Sequence, residues 1–409
     1  MNILFIHEVD WVNKVVFDIH SLAEALSLLG HKVFAIDYET TIRDGFLGLG
    51  SLRTKDFPGV SRAFPSASVH LRRPGTIKFP GLSRISAIFT HYREISRTLR
   101  EKNIDAIVLY SVATNSLQTL HFARKFNVPV LFRSIDVSNQ LVPHAMLRPI
   151  TKIMEKRVYA RSDMILTLTP KLTKYATDMG AREDSIRLLL MPVDTNIFHP
   201  DVDSTEMRRK WGIDEKDKVV IFMGTLFEFS GLDTLIPRFP EVVKQVPEAK
   251  LLIVGDGPQR HKLEEMITRL NLQNQVIITG FQPYQTMPQY INLSTICINT
   301  FRVTGATRDI FPGKIVQFLA CKRAAIATWL PGMIAVISGE RQGVLYTSSV
   351  DDMTLKITWL LKSPEHRHEL EQAGLDYVQQ VHSYEKIAGQ LEEYIKEAVR
   401  DKGGKRGLR

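Results

Sequence analysis

The stretch AKLLIVGDGPQRHKLEEMITRLNLQNQVIITG, residues 249–280, determines the fold class of this chain. A short apolar run comes first and ends in a glycine-containing turn. An amphipathic stretch of helical length follows, and a second short apolar run closes the segment. Short apolar strands joined by a helix are typical of a parallel sheet that helices cover on both faces.

The same alternation of apolar runs and helical stretches extends along the whole chain. In the first half, runs of strand length occupy residues 2–7, 31–37, 105–111, 128–134, 164–169 and 186–192. A polar, charged stretch near residues 201–216 indicates a linker, and the pattern then restarts. In the second half, the runs occupy residues 218–224, 249–255, 275–280, 295–300, 324–328 and 343–347.

The sequence therefore predicts an α/β protein with two Rossmann-like, doubly wound domains that face a central cleft. The predicted boundaries are 1–200 for the N-terminal domain and 201–382 for the C-terminal domain, with a closing helix that crosses back to the first domain and a basic tail at 383–409. Two domains fit the length, because 409 residues exceed the size at which one core keeps growing. Ligands of such folds bind outside the carboxyl ends of the strands, so we expect the site in the cleft.

Composition excludes several classes of protein. The chain is 44% hydrophobic and 24% charged, as in ordinary globular domains. Its two cysteines, Cys297 and Cys321, stand in apolar contexts, which argues against a disulfide framework and fits a reducing compartment. We find no signal peptide, no long apolar run and no metal-ligand spacing. These observations predict a cytoplasmic protein without a metal.

Positive charge is concentrated in residues 41–100, which hold eleven Lys or Arg against three Asp or Glu, in a chain of net charge +9. Aromatic and aliphatic residues are interspersed with them. This mixture predicts contact with an anionic membrane surface, where each basic residue contributes about 1 kcal/mol, and Arg72, Arg73 and Lys78 are the residues we assign to it. The alternative is a solvated loop with buried anchors. Nucleic acid is not expected, because no nucleic-acid-binding motif accompanies the charge.

A candidate ligand site lies in TRDIFPGKIVQFLACKRAAIAT, residues 307–328. Pro312 is suited to a first helical position, and the N–H groups at a helix start favour a bound anion. Asp309 before this helix and Gln317 within it carry side chains that can hold hydroxyl groups. An anion beside hydroxyls describes a nucleotide sugar. The alternative is an ordinary loop–helix–strand corner.

Five segments of the chain resemble glycosyltransferase family 4, whose members have the two-domain GT-B fold. The strongest is residues 253–283, in which a strand ends in a Gly-x-Gly-Pro turn and a helix, a strand and a Gly-Phe-x-Pro turn follow. The other segments are MGTLFEFSGLDTLI (223–236), FPGKIVQFLACKRAAIAT (311–328), VDTNIFHP (193–200) and HSYEKIAGQLEEYIKEA (382–398). The resemblance implies a retaining transferase that uses a nucleotide-diphosphate sugar and needs no metal or further cofactor.

The resemblance also implies roles for individual residues. The acid pair of the family falls on Asp309, which would contact the donor sugar and act in catalysis, and on Gln317, which would bind the ribose. The Arg and Lys that grip the diphosphate are replaced by Thr225 and Ser230. The remaining donor-binding candidates are Gly224, Gly255, Arg302, Arg308, Phe311, Pro312, Gly313 and Lys314.

The first domain departs from the family as well. Its first loop, residues 7–20, lacks the usual glycine pair, and we expect Trp11 and Lys14 to face the cleft instead. The usual histidine is also absent, whereas Asp136 follows a predicted strand. Asp136 is predicted to orient the acceptor hydroxyl, with helix capping as the alternative. The isolated histidines that remain as candidates are His7, His20 and His144.

These features predict a retaining hexosyltransferase that moves a sugar from a UDP- or GDP-sugar to an acceptor hydroxyl. The basic first domain favours a lipid-linked or membrane-borne glycan as acceptor, with the protein peripheral on the inner face of the membrane. Two alternatives remain open. One is a catalytically idle scaffold or subunit of a membrane glycan-assembly complex, and the other is a nucleotide-sugar epimerase.

Overall fold

The computed structural model describes residues 1–13, 16–39, 50–79, 82–142 and 145–404. Its contacts divide the chain into two units. The first unit comprises Met1–Pro192 and Tyr384–Arg409, and the second comprises Val193–Ser383.

The strands and helices alternate along the chain. The strands are β1 (Asn2–Ile6), β2 (Lys32–Ile36), β3 (Lys55–Val60), β4 (Val69–Arg73), β5 (Ala106–Leu109), β6 (Val130–Ser134), β7 (Met164–Thr167), β8 (Ile186–Leu188), β9 (Lys218–Met223), β10 (Ala249–Val254), β11 (Val276–Ile278), β12 (Ile296–Asn299), β13 (Ala325–Thr328) and β14 (Val344–Thr347). The helices are α1 (Asp18–Leu28), α2 (Leu82–Glu101), α3 (Ser116–Phe126), α4 (Arg148–Arg161), α5 (Pro170–Asp178), α6 (Thr205–Trp211), α7 (Leu232–Leu235), α8 (Phe239–Gln245), α9 (Arg260–Arg269), α10 (Met287–Leu293), α11 (Lys314–Ala320), α12 (Pro331–Ile334), α13 (Val350–Lys362), α14 (Pro364–Val381) and α15 (Tyr384–Gly404).

Local chemistry sets several helix boundaries. Thr169 accepts a hydrogen bond from the Leu172 N–H (3.1 Å) at the start of α5, and Pro170 occupies the first helical position. Ser349 accepts one from the Asp352 N–H (3.1 Å) at the start of α13. These bonds satisfy N–H groups that have no partner within the helix.

The sheet of the first unit has the order β3-β4-β2-β1-β5-β6-β7-β8, and only β3 runs antiparallel to its neighbour. Side chains on one face pack against α2, α3, α4 and α5, as the cluster containing Leu4, Ile95 and Phe122 shows. Those on the other face pack against α1 and α15, with Ile3 and Leu391 among them. The first unit is therefore a sheet between two helical layers.

The sheet of the second unit is parallel throughout, in the order β11-β10-β9-β12-β13-β14. Its strands are nearly fully buried. Val220, Phe222 and Ile298 pack with α7, α8 and α13 on one face. Both sheets have the doubly wound, Rossmann-like form that the alternating apolar runs predicted.

The unit boundaries lie at 192/193 and 383/384, whereas the sequence suggested 200/201 and 382/383. Residues 193–199 belong to the second unit, because the Val193 N–H bonds to the His382 carbonyl (2.9 Å) and Asn292 bonds to the His199 carbonyl (2.9 Å). The stretch 201–216 is more than a linker, since it contains α6.

The basic segment 41–100 was expected to be irregular and to expose Arg72 and Arg73. Residues 41–49 and 80–81 lie outside the described residues, and the described part of the segment contains β3, β4 and α2. Arg72 and Arg73 are 4% and 3% exposed, because they form ion pairs with Glu94 (2.9 Å) and Asp10 (2.7 Å). The membrane contact assigned to these two arginines is therefore wrong.

The carboxylate of Glu24, on α1, is buried and holds the loop that follows β3. It accepts hydrogen bonds from the backbone N–H groups of Arg62 (2.7 Å), Ala63 (2.8 Å) and Phe64 (2.8 Å). Burial raises the pKa of Glu24 from 4.5 to about 7, against the opposing effect of these N–H donors.

Glu24 should give the stability of the protein a measurable pH dependence. Because the folded protein retains this proton where the unfolded chain has lost it, the free energy of unfolding falls as pH rises from about 4.5 to about 7. The slope from one group is at most about 1.4 kcal/mol per pH unit. We expect Glu24→Gln to remove this contribution in urea denaturation measured at several pH values. The exposed Glu183→Gln is the control, and parallel pH curves for Glu24→Gln and the parent protein would contradict the assignment.

Candidate functional site

In the second unit, the strand order reverses between β9 and β12. The chain proceeds from β9 to β10 and β11 on one side, and β12 then returns to the other side of β9. A reversal of this kind opens a crevice at the carboxyl ends of the two strands, where ligands of doubly wound sheets bind. Residues 224–231 and 300–313 form the loops that begin there.

The backbone at the ends of β9 and β10 is closely packed. The Gly224 N–H donates to the Val254 carbonyl (3.0 Å), and the Leu226 N–H donates to the Asp256 carbonyl (3.0 Å). A Cβ atom at Gly255, whose φ is +155°, would lie 1.9 Å from the Gly224 carbonyl oxygen. Gly255 is thus required for the contact between the two turns, whereas Gly224 is exposed at the crevice.

Lys314, the first residue of α11, points into the same region. Its ammonium donates a hydrogen bond to the Met223 carbonyl (2.9 Å), and a Cβ atom at Gly224 would lie 3.7 Å from Nζ. The Nζ atom is 3.9 Å from the ring centroid of Phe222 and 4.3 Å from that of Phe301. The pairing of β9 with β12 brings these two rings to the crevice.

The environment of Lys314 disfavours an isolated positive charge. Burial lowers the pKa of Lys314 well below its usual 10.5, and the two aromatic rings offset only part of that cost. Among the residues that the structure describes, no carboxylate forms an ion pair with this ammonium. An anion bound at the crevice would supply the missing partner.

Gln317 lies three residues after Lys314 on the same helix, so the two side chains share a face of α11. The other residues of α11, including Ile315 and Phe318, are buried in the core. Gln317 is partly exposed, and within the described part of the chain its side chain makes no hydrogen bond. Its amide is therefore available to donate to, and accept from, ligand hydroxyls.

The loop before α11 carries Asp309 and Arg308. Arg308 is exposed, with its Nε atom 3.9 Å from the Asp309 carboxylate. The loop is held at its backbone, because the Gly332 N–H donates to the Arg308 carbonyl (2.9 Å), and a Cβ at Gly332 would lie 2.3 Å from the Asp309 backbone. Asp309 is thus partly exposed on a fixed backbone.

The other cation candidate, Arg302, is already paired. Its guanidinium binds the Asp233 carboxylate at 2.8 Å. Thr225 is partly buried, and Ser230 is 2% exposed with its carbonyl bonded to the Thr300 hydroxyl. Of the three cation candidates, Lys314 is the one that has no carboxylate partner among the described residues.

The Phe-Pro-Gly sequence before α11 has a supporting role. Phe311 is 4% exposed and stacks on His382, with 6.0 Å between the ring centroids. The expectation that Pro312 begins the helix is wrong, because Gly313 is the N-cap and α11 starts at Lys314. The Ile315 N–H bonds to the Pro312 carbonyl (3.0 Å), so a turn leads into the helix. This arrangement places Lys314 at the first position of the helix.

In the first unit, Asp136 follows β6 at the carboxyl edge of the sheet. Burial and the nearby negative charge of Asp18 raise the pKa of Asp136 from 3.8 to about 6. The Asp136 carboxylate makes no hydrogen bond or ion pair with any described residue, which argues against the capping alternative. A carboxylate with this pKa can accept a hydrogen bond from a substrate hydroxyl near neutral pH.

A buried ion pair beside Asp136 was missed from the sequence. Arg133 binds Asp18 through Nε (2.9 Å) and Nη2 (2.8 Å), and both side chains are fully buried. The Tyr110 hydroxyl donates to the same carboxylate (2.7 Å). The pair fixes α1 against β5 and β6 and supplies the charge that acts on Asp136. The sequence feature that could have indicated this ion pair is an arginine within an otherwise apolar strand.

The remaining candidates of the first unit are structural or undescribed. His20 is 1% exposed, with its ring nitrogens 3.0 Å from the Trp11 carbonyl and 3.2 Å from the Phe17 N–H, and burial lowers its pKa to about 4. His7 is also buried. Trp11 is 2% exposed in the core, so the prediction that its side chain faces a cleft is wrong. The remaining two candidates lie outside the described residues: Lys14 and His144.

Comparison with known proteins identifies the family. The model described as "Glycosyl transferases group 1" matches residues 203–376, and that of a "Glycosyl transferase 4-like domain" matches residues 16–191. The chain belongs to this glycosyltransferase family. The family and the two-domain α/β fold predicted from the sequence are confirmed.

Curated relatives of this chain carry several names. It is 25% identical over 251 residues to the N-acetyl-alpha-D-glucosaminyl L-malate synthase of Bacillus anthracis, covering 60% of this chain and 62% of that protein. It is 27% identical over 232 residues to a GDP-mannose-dependent alpha-(1-6)-phosphatidylinositol monomannoside mannosyltransferase of Mycolicibacterium smegmatis, covering 55% and 60%. The matches thus span about three fifths of these relatives.

Solved structures share the fold of this chain over nearly its whole length. Sucrose-phosphate synthase from Thermosynechococcus elongatus superposes with a TM-score of 0.75 and 18% identity, covering 97% of this chain and 99% of that one. Anabaena Alr3699/HepE in complex with UDP-glucose gives 0.73 and 16%, covering 97% and 100%.

None of the helices in the described ranges has the length and apolar character needed to cross a bilayer. The same residues contain no group of three or more His, Cys, Asp or Glu side chains that could hold a metal ion.

Proposed function

We propose that this protein is a retaining glycosyltransferase of the hexosyltransferase type, which moves a sugar from a UDP- or GDP-sugar to an acceptor hydroxyl. One observation carries the proposal. The Lys314 ammonium lies desolvated at the strand-order reversal of the second unit, and no described carboxylate pairs with it. The diphosphate of a nucleotide sugar supplies the negative charge that this position lacks.

Three side chains around the diphosphate site recognise the donor. Lys314 binds the diphosphate, and Gln317 on the same helical face binds the ribose hydroxyls. Asp309, on the loop before the helix, binds hydroxyls of the donor sugar. A single, partly buried cation can replace the Arg and Lys that the family resemblance leads one to expect at Thr225 and Ser230, because ionic hydrogen bonds are stronger in a site of low dielectric constant.

Catalysis depends on stabilising the departing diphosphate. Charged donors fixed before the reaction are commonly the largest contribution to catalysis, and Lys314 is held in place by the Met223 carbonyl and two rings. In the retaining mechanism, the departing phosphate oxygen accepts the acceptor proton, which reduces the need for a strong base. Asp136 then serves to orient the acceptor hydroxyl. We propose no cofactor beyond the donor itself.

We further propose a lipid-linked or membrane-borne glycan as the acceptor. One relative, which is 27% identical, is named as a phosphatidylinositol monomannoside mannosyltransferase, and phosphatidylinositol monomannoside is a lipid. The positive charge of the chain, +9 overall, is consistent with approach to anionic membranes.

Thermal unfolding with a panel of UDP- and GDP-sugars, followed by transfer assays on lipid extracts, tests the proposed function. A donor at one hundred times its Kd should stabilise the protein by about 2.7 kcal/mol, and the same donor should support transfer. Binding without transfer to any acceptor would favour the scaffold alternative, and conversion of the donor without an acceptor would indicate an epimerase. No stabilisation by any nucleotide would contradict the proposal.

A further inference from the structure

Three neighbouring helices form one outer surface of the first unit. α2, α3 and α4 cover the same face of the sheet, where Leu99, Phe122 and Val158 belong to one buried cluster. The Tyr92 ring of α2 lies 4.6 Å from the Phe122 ring of α3, and α3 contacts α4 in turn. We call the outward side of these helices, with residues 146–147 that precede α4, the α2–α4 surface.

The α2–α4 surface exposes an unusual number of large apolar side chains. On α2 they recur at helical spacing, and a second set lies at the start of α4. Phe89 is 71% exposed and Met146 is 89% exposed. The full set is Leu82, Ile85, Ile88, Phe89, Tyr92, Met146, Leu147, Ile150 and Ile153. Such a patch on a folded domain commonly marks a site of interaction with a protein or a membrane.

The charges of the α2–α4 surface are almost all positive. Eleven of the twelve exposed charged residues on these helices are Lys or Arg, and Glu101 is the exception. The two other acids, Glu94 and Glu155, are buried within hydrogen-bonded networks. The cations are Arg84, Arg93, Arg97, Arg100, Arg124, Lys125, Arg148, Lys152, Lys156, Arg157 and Arg161.

The apolar residues are confined to the beginnings of α2 and α4. Each of these helices follows a strand and returns antiparallel to it, so its first half lies towards the carboxyl edge of the sheet. Asp136, proposed to orient the acceptor, follows β6 at that edge. An acceptor held in a membrane would therefore be presented to the edge of the unit that carries Asp136.

We propose that the α2–α4 surface docks on an anionic lipid bilayer. The apolar side chains enter the boundary between headgroups and acyl chains, and the surrounding Lys and Arg residues bind lipid phosphates, as in interfacial amphipathic helices. Apolar side chains beside charge of one sign match a bilayer, because its headgroup layer is anionic and its interior is apolar. Docking deepens the proposed function by naming where the acceptor is met, but it does not require nucleotide binding.

Vesicle sedimentation of the full chain tests the proposal, without nucleotide present. Vesicles of phosphatidylcholine alone are compared with vesicles containing an equal amount of phosphatidylglycerol. We expect binding to the anionic vesicles only, weakened by added salt. Ile85→Ser with Phe89→Ser, and separately Lys152→Glu with Lys156→Glu, should each reduce the bound fraction at least tenfold at a fixed lipid concentration.

Matched controls lie in the second unit. Leu355 is 65% exposed, so Leu355→Ser removes a comparable apolar side chain, and Lys244→Glu reverses an exposed charge. Both should bind vesicles as the parent protein does. Stabilisation by UDP or GDP should stay unchanged in every variant, so failure of docking is distinguishable from failure of the donor site. Equal binding of all variants would overturn the proposal, as would variants that change self-association instead of vesicle binding.

Discussion

Replacing Lys314 by methionine is expected to reduce sugar transfer at least a hundredfold and to weaken UDP or GDP binding. Methionine fills a similar volume between Phe222 and Phe301 but has no charge to offer the diphosphate. Loss of one fixed donor to a developing negative charge commonly costs about 10²- to 10³-fold in rate. Transfer assays and nucleotide titrations measure the two effects separately.

Folding should survive the Lys314→Met change. The substitution removes a desolvated ammonium that lacks a carboxylate partner, so the melting temperature should stay the same or rise. The exposed Lys244→Met is the matched control and should retain full binding and transfer. Undiminished nucleotide affinity in Lys314→Met would show that the diphosphate binds elsewhere.

Replacing Asp136 by asparagine should lower transfer by about a hundredfold, the size of effect usual for a group that handles the acceptor proton or hydroxyl. Asparagine keeps the shape of the side chain, but it replaces one acceptor oxygen with an NH2 donor and removes the negative charge that strengthens the hydrogen bond. Donor affinity should be unaffected, because Asp136 belongs to the first unit and the donor residues to the second. The exposed Asp178→Asn should behave as the parent protein does.

The pH profile distinguishes this role of Asp136 from a structural one. Since the pKa of Asp136 is raised to about 6, the carboxylate gains its charge as pH rises through that value. Transfer by the parent protein should therefore rise with pH and level off above about 6, whereas Asp136→Asn should lack this limb. Identical pH profiles for the two proteins would contradict the assignment.

The sequence predicted the architecture because buried parallel strands consist of short runs of apolar residues. Residues 218–224 and 249–255 became β9 and β10. By contrast, β4 was missed, because its sequence VHLRR contains two arginines. Those arginines are buried because they form ion pairs with carboxylates distant in sequence. The sequence of one strand does not show such pairs.

The sequence named the residues of the candidate site but did not show which of its cations matters most. Asp309, Lys314 and Gln317 were all named, yet the sequence could not rank Lys314 above Arg302 and Arg308. That ranking depends on tertiary facts, namely the pairing of Arg302 with Asp233 and the exposure of Arg308. The Asp18–Arg133 ion pair that influences Asp136 joins residues more than a hundred positions apart and was invisible for the same reason.

Proton uptake on nucleotide binding shows whether Lys314 is the counter-ion of the donor diphosphate. Because burial lowers the pKa of Lys314 well below 10.5, the free protein loses this proton at a lower pH than an exposed lysine would. A bound diphosphate favours the ammonium and restores the proton.

Calorimetric titration with UDP and GDP, in buffers of different ionisation enthalpy across the neutral to alkaline range, measures that proton. We expect uptake of up to one proton per nucleotide by the parent protein and none by Lys314→Met. Nucleotide binding without proton uptake at any pH, or the same uptake in both proteins, would show that Lys314 is not the counter-ion.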